Sequence, residues 1–188
     1  MTKKKKIIKI IKIILISMGA VAILAIAAYA LWWYGCFLPR WIHWETKTGN
    51  VGEVSVMLKG RRLTVRDTET NETTWKTQGD WFIQDLVIKD VDRDGEEELI
   101  LLVWKHGSYG DHMPFWETKN DKNLKQHIFI YKYDSKKEKK LRAIWMSSQI
   151  SYEIESISSG QDSFLNVTDH EGTTRVWVWR DFGLKLVK

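Results

Sequence analysis

A run of 21 uncharged residues near the amino terminus, residues 13–33, constrains this chain more than any other feature. A helix rises about 1.5 Å per residue, so a run of this length can cross a hydrocarbon core of about 30 Å. Trp32, Trp33 and Tyr34 then stand where interfacial aromatic residues are expected. The run predicts a transmembrane helix over residues 13–34, preceded by a basic tail of residues 1–12 and followed by a juxtamembrane linker of residues 35–46.

The positive charge of the chain is concentrated before this helix. Of 29 Lys and Arg residues, six lie in the tail, which leaves 23 against 24 Asp and Glu in the rest of the chain, a balance of −1. The positive-inside rule therefore predicts a cytoplasmic amino terminus and an extracytoplasmic body. A neutral body lacks the basic face that nucleic acids require, so the membrane is the expected partner and nucleic acid is not. The tail lysines are Lys3, Lys4, Lys5, Lys6, Lys9 and Lys12.

Two alternatives to an uncleaved anchor remain open. Ala28-Tyr29-Ala30 satisfies the small-x-small pattern of a signal-peptide cleavage site, although the apolar run is longer than the 7 to 15 or so residues usual for such peptides. Cys36 follows Gly35, as in a lipid-attachment site, but Trp33 and Tyr34 do not suit the positions before it. As the single cysteine, Cys36 cannot form a disulfide within the chain.

Beyond the linker the sequence is typical of short β-strands. Candidate strands are rich in β-branched and aromatic residues and are separated by Gly, Asp, Asn or Lys clusters. Residues 99–104 are apolar on both faces, which predicts an inner strand, whereas residues 127–133 include polar side chains and predict a more peripheral one. We expect one all-β extracytoplasmic domain over residues 47–188. Its predicted strands are residues 54–58, 62–66, 81–88, 99–104, 127–133, 141–147, 152–157, 164–167, 174–179 and 184–187.

An acidic segment between two of these strands has the spacing of a calcium loop. Asp90, Asp92, Asp94 and Glu98 occupy positions 1, 3, 5 and 9 around Gly95 at position 6. Calcium takes about six to eight oxygen ligands, which such carboxylates supply on a tight turn, and the backbone carbonyl of Glu96 would add another. An EF-hand is excluded, because position 12 is Leu101 and the flanks are predicted strands. The alternative is an acidic turn that holds no metal.

The same segment carries a family resemblance. Residues 90–99 spell D-x-D-x-D-G-x-x-E-L between two predicted antiparallel strands, and this resembles the FG-GAP or VCBS repeat, the blade unit of integrin-α-type β-propellers. The resemblance implies a calcium ion held by Asp90, Asp92, Asp94, Glu98 and the carbonyl of Glu96. It also implies about three propeller-like blades, since residues 49–56 and 152–179 repeat the strand pattern without the acids.

Three blades are fewer than the usual four to eight or so of a closed propeller. An open stack, a ring completed by two chains and a blade-like sandwich are all compatible with the sequence. The oligomeric state is not encoded in any feature of the chain that we recognise.

Enzyme chemistry has no positive sequence signal. The long segment of residues 105–126 and the histidine after it offer His106, Asp111, His112, Glu117 and His127 as a conceivable zinc set for a cell-envelope hydrolase. The spacing of H-E-x-x-H is absent, as are a nucleophile elbow and a phosphate-binding glycine loop. We therefore expect a binding or scaffolding protein and no enzyme.

Tryptophans leave a further class of partner open. Nine of the eleven lie outside the apolar run, and most are expected to fill the core. Trp116, Trp41 and Trp44 are the expected exceptions. Stacking of sugars on such exposed rings would make the body a glycan-binding module, so a protein or a cell-wall glycan is the expected extracytoplasmic partner.

Overall fold

A computed structural model describes residues 3–110, 112–135, 138 and 140–187. The chain divides into two compact units between Leu38 and Pro39. In the first, helix α1 (Lys3–Trp33) extends through most of the predicted basic tail. Its segment Ile7–Trp33 is long and apolar enough to cross a membrane. The predicted apolar helix is present, and it is consistent with a membrane or signal anchor.

The second unit contains three antiparallel sheets of four strands, each following chain order, among the described residues. The first sheet comprises β1 (Lys47–Val51), β2 (Val54–Lys59), β3 (Arg62–Asp67) and β4 (Thr73–Lys76). The middle sheet comprises β5 (Phe82–Lys89), β6 (Glu98–His106), β7 (Leu124–Asp134) and β8 (Lys140–Met146). The third comprises β9 (Ile154–Ser159), β10 (Leu165–Asp169), β11 (Thr174–Arg180) and β12 (Gly183–Leu186).

A mostly β body is thus confirmed, with every predicted strand represented. Strands β1 and β4 were missed, since β1 contains a Gly-Asn pair that is typical of a turn and β4 is only four residues long. Over the described residues the sheets do not close into a ring, and their arrangement as propeller-like blades stays a prediction.

The middle sheet is buried on both faces. Leu99, Leu101 and Val103 of β6 join the core shared with the first sheet, while Ile100 and Leu102 join the core shared with the third. Alternate residues of a strand point to opposite faces, so a continuous apolar run is required wherever both faces are covered. The prediction of an inner strand at residues 99–104 is confirmed.

The predicted peripheral position of β7 is wrong. Ile128, Phe129 and Ile130 are fully buried, and so is His127. The polar residues of this strand misled the sequence argument because their partners are supplied by other strands and loops. A polar residue in a strand indicates an exposed position only where no hydrogen-bond partner is available to it in the core.

A β-bulge in β5 connects the middle sheet to the third. The pairing register shifts between Ile83 and Asp85, which leaves Gln84 as the extra residue. The buried Gln84 amide donates to the carbonyls of Ile154 (3.0 Å) and Glu155 (2.7 Å). Its oxygen accepts from the Trp104 indole (2.6 Å) and from the Gln126 amide (2.9 Å).

Asp85, the next residue, connects the middle sheet to both neighbours. Its carboxylate pairs with the Lys47 ammonium of the first sheet and accepts from the Ile157 backbone N–H of the third at 3.2 Å. It also accepts from the Leu86 N–H at 2.7 Å, so both oxygens are used. Buried carboxylates are stable only with such partners.

Part of the predicted linker belongs to the β unit. Ile42 is buried, the Trp41 ring stacks on His170 at 4.6 Å between centroids, and the Arg61 guanidinium lies 4.5 Å from the centre of the Trp44 ring. These contacts place residues from Pro39 onward within the unit. Trp41 and Trp44 are therefore half-buried structural contacts.

His127 is enclosed between β7, the end of β8 and the start of the long loop. Its Nδ1 lies 3.0 Å from the Ser147 carbonyl and its Nε2 lies 3.1 Å from the Gly107 carbonyl. A neutral imidazole has one N–H and can donate to only one of these oxygens. Burial lowers the pKa of His127, with the nearby Lys105 charge acting in the same direction.

Replacing Gln84 by Leu should destabilise the β unit by about 2–4 kcal/mol, because the Glu155 carbonyl and the Trp104 indole N–H lose their partner, whereas the Ile154 carbonyl still accepts from Gln126. Urea denaturation measures the change. Gln149→Leu, the same replacement at an exposed glutamine, should change stability by less than about 0.5 kcal/mol. Equal effects at both positions would contradict a bridging role for Gln84.

Stability should fall as the pH is lowered from 7.5 to 5.5. The pKa of His127 is lower in the folded state than in the unfolded state, so the unfolded chain takes up a proton first as the pH falls. Neutral His127 therefore stabilises the fold above its unfolded-state pKa, and this stabilisation is lost as the pH falls towards its folded-state pKa. His127→Gln should show a smaller loss over this interval in denaturant titrations. An unchanged pH dependence in the variant would exclude His127 as its source.

Candidate metal-binding loop

The predicted calcium loop joins β5 to β6 at the point where their pairing ends. Lys89 and Glu98 form the last pair, and Gly95 has φ +91°, in the left-handed region that favours glycine. Asp90 forms the turn with both oxygens, which accept from the backbone N–H groups of Arg93 (2.7 Å) and Gly95 (3.0 Å). The loop is thus folded by its own first carboxylate.

The next two aspartates each use one carboxylate oxygen to accept a hydrogen bond from the backbone. Asp92 accepts from the Asp94 N–H at 3.2 Å, and Asp94 accepts from the Glu96 N–H at 3.0 Å. Such local side-chain to backbone bonds are typical of Asp in turns. In each carboxylate the second oxygen forms an ion pair with the ammonium of Lys132 in β7.

Glu98 is the fully buried acid of the loop. Its side chain is 0% exposed, Oε2 accepts from the Val91 N–H at 2.9 Å, and Oε1 makes no hydrogen bond within the described part of the chain. Burial raises the pKa of Glu98. Carboxylate oxygens of Asp90, Asp92 and Glu98 lie within 4.8 Å of one another, close enough for one ion.

A lysine that the sequence argument missed lies among these carboxylates. Lys132 of β7 is paired directly opposite Glu98 of β6, and its side chain is only 15% exposed. Its Nζ lies 3.2 Å from Glu98 Oε1, though outside hydrogen-bond geometry, 3.5 Å from Asp92 and 3.7 Å from Glu96. It also forms an ion pair with Asp94. The molecule therefore supplies one cation of its own to the loop.

The pKa directions follow from this arrangement. Burial by itself would lower the pKa of Lys132, but the hydrogen bond to Asp94 and the charge of Glu98 outweigh it and raise the pKa. The same hydrogen bond lowers the pKa of Asp94. Burial raises the pKa of Asp92 despite the nearby ammonium. Asp92 and Asp94 thus have opposite pKa shifts although both face Lys132.

The donor set fits a hard divalent cation. The six carboxylates of residues 90–98, set against Arg93 and Lys132, leave a formal charge of −4 at the loop, and the carboxylate donors are oxygen, which calcium prefers. Oxygens of Asp90, Asp92 and Glu98 converge, and Asp94 reaches Lys132. Glu96, predicted to act through its carbonyl, has its carboxylate near Lys132, and the role of the five residues as metal ligands stays a prediction.

One feature of the sequence indicates that Lys132 is exceptional. Lys132 is the polar residue between Tyr131 and Tyr133 in an otherwise buried stretch of β7, whose burial pattern alternates there. Pairing β6 with β7 in register would have placed it opposite Glu98. That register is a tertiary fact and could not be read from either strand alone.

The described members of the conceivable zinc set do not converge on one point. His127 lies in the core between two carbonyls, and the His106 ring contacts the Lys122 carbonyl at 2.7 Å. Asp111 lies outside the described residues. Elsewhere in the described chain, no three ligand atoms of His, Cys, Asp or Glu come together as they do in the acidic loop.

A cleft lies beside the loop. It has a volume of about 350 Å³ and is lined mainly by Glu53, Glu96, Glu97 and Tyr133. Tyr133 donates to the Glu53 carboxylate at 3.1 Å. The acidic loop is therefore part of an accessible surface.

No family model, curated protein or solved structure matches the chain. The resemblance to the FG-GAP or VCBS repeat therefore stays a prediction from residues 90–99.

Lys132→Gln should lower stability by about 1–3 kcal/mol in EGTA, because the carboxylates lose the ammonium of Lys132 and Glu98 stays buried. Thermal and urea denaturation measure the loss. Lys185→Gln removes an exposed ion pair with Asp181 and should have little effect. If the two variants are equally stable, Lys132 does not hold the loop together.

Proposed function

We propose that this protein is a single-pass, membrane-anchored binding or scaffolding protein whose extracytoplasmic β body is stabilised by one calcium ion in the β5–β6 loop. The observation that carries the proposal is the convergence of Asp90, Asp92 and the buried Glu98 at one point. Calcium, when bound, would neutralise these carboxylates and fix the loop. Lys132 holds the loop in its absence.

The anchor part of the proposal rests on α1. The apolar segment Ile7–Trp33 supports a membrane span, and the lysines before it support a cytoplasmic amino terminus. The β unit would then face outward, where calcium is abundant enough to fill sites of modest affinity, with dissociation constants of about 10⁻⁴–10⁻³ M.

The binding or scaffolding part rests on how the site is supported. Both strands that flank the loop belong to the doubly buried middle sheet. A rigid base fixes the position of the loop and of the adjoining acidic cleft, so an ion there would stiffen a recognition surface. The protein or glycan that this surface meets is a partner still to be identified.

Asp92→Asn and Asp94→Asn should each abolish a calcium-dependent rise in melting temperature. Saturating calcium at about 100 times Kd would stabilise the parent by about 2.7 kcal/mol, because the ion binds only the folded state. Melts of the full chain in detergent micelles, with EGTA and then with calcium, magnesium or zinc, measure the effect. A parent chain that shows no calcium response would overturn the proposal.

Two controls sharpen this test. Asp80→Asn, outside the loop, should respond to calcium as the parent does. Lys132→Gln should bind calcium more tightly, by about tenfold if about 1.4 kcal/mol of competition with the ammonium is removed. A weaker response in Lys132→Gln would mean that calcium and the ammonium do not compete for the same carboxylates.

A further inference from the structure

An aromatic turn projects from the connection between β6 and β7. The N–H of Glu117 donates to the Pro114 carbonyl at 3.0 Å, so Phe115 and Trp116 are the central residues of a hydrogen-bonded turn. Their rings contact each other edge to face, 4.8 Å between centroids. Phe115 is 94% exposed and Trp116 68%, and Met113 beside them is 42% exposed.

The base of this connection is held firmly. Lys105 donates to the carbonyls of Tyr109 (2.7 Å) and Gly110 (3.0 Å), and the Asn120 side chain accepts from the Ser108 N–H at 2.7 Å. The Gln149 N–H also donates to the Ser108 carbonyl at 2.8 Å. The aromatic pair is therefore presented by a fixed base.

Exposed aromatic pairs of this kind need a partner. Apolar surface in water is unfavourable, and large exposed apolar groups that adjoin one another mark binding or membrane contacts. A convex tip does not form a pocket for a soluble ligand. Tryptophan and phenylalanine are, however, the residues that enter the boundary between headgroups and acyl chains.

The chain itself indicates which partner is available. Only residues 34–38 lie between the end of α1 and the start of the β unit, and an extended chain covers about 3.5 Å per residue. A unit tethered so closely stays near the bilayer, which gives each of its surfaces a high effective concentration of lipid. The charged residues that follow the tip, Glu117, Lys119, Asp121 and Lys122, balance one another, so no net charge opposes a contact with lipid.

We propose that the turn of residues 113–117 is a membrane-contacting element that inserts Phe115 and Trp116 into the interface of the bilayer that α1 crosses. This rests on the membrane anchor of the proposed function and is independent of calcium. The contact would orient the β unit. The connection that carries the turn packs against β8, where Gly110 and Pro114 line a cleft with Ala143 and Met146.

The experiment uses nitroxide labels on the full chain, one molecule per lipid nanodisc, in a Cys36→Ser background. Labels replace Met113 at the turn, Phe182 as an exposed aromatic position elsewhere, and Ser17 within α1. Collision rates with oxygen, which concentrates in lipid, and with a neutral nickel chelate, which stays in water, report the depth of each label.

We expect the label at 113 to favour oxygen over nickel and the label at 182 to favour nickel. Replacing Phe115 and Trp116 by Ser should invert the ratio at 113 and leave the melting temperature unchanged, whereas Phe182→Ser should leave the ratio at 113 unaltered. A nickel-accessible label at 113 in the parent overturns the inference, as does shielding that develops only on adding a soluble cell-wall glycan.

The label at 17 separates this inference from the proposed anchor. An oxygen-accessible label at 17 with a nickel-accessible label at 113 leaves the anchor in place and rejects the contact of the turn. Nickel accessibility at both positions rejects the anchor and the inference together.

Discussion

One buried carboxylate joins the three sheets of the β unit. Asp85 pairs with Lys47 of the first sheet and with the Ile157 backbone of the third, while Gln84 beside it is hydrogen-bonded to β9. The bulge in β5 makes this possible, because it places two consecutive polar residues where they reach neighbouring sheets. Other hydrogen bonds also cross between sheets, such as those from Lys89 to the Gly160 carbonyl and from Tyr133 to Glu53, but Asp85 reaches both neighbouring sheets. These directional bonds favour a single alignment, since a shift would leave several buried polar groups without partners.

The geometry of the acidic loop depends on that alignment of the sheets. It leaves β5 and enters β6, both held in the core, and its last acid, Glu98, lies at the start of β6 with no exposure. Carboxylates this close would repel one another strongly without a cation. Lys132 is brought to them by the pairing of β6 with β7, so the sheet supplies part of the charge balance that the loop lacks. The remaining negative charge is what makes a divalent cation a fitting partner.

Two connections of the middle sheet, one before β6 and one after it, carry the proposed functions. The acidic loop precedes Glu98, and the aromatic turn follows His106. Both are loops on a rigid scaffold, which is where binding groups are concentrated in folded domains. An anchor, a lipid-contacting turn and an ion-stiffened loop would together describe a protein held in one defined orientation at the bilayer.

The sequence by itself determined the apolar helix, the β character of the body, nearly all of its strands and the place of the acidic loop. These depend on local signals: unbroken hydropathy, alternation along a strand, and the spacing of acids around Gly95. Tertiary structure decided the burial of β7, the inclusion of Trp41 and Trp44 in the β unit, the separation of the histidines and the role of Lys132. Each of these depends on which strand lies beside which, and the partners are far apart in the chain, as Lys47 is from Asp85 and Asp92 from Lys132. A residue's polarity can be read locally, but the partner that satisfies it is chosen by sheet register and packing.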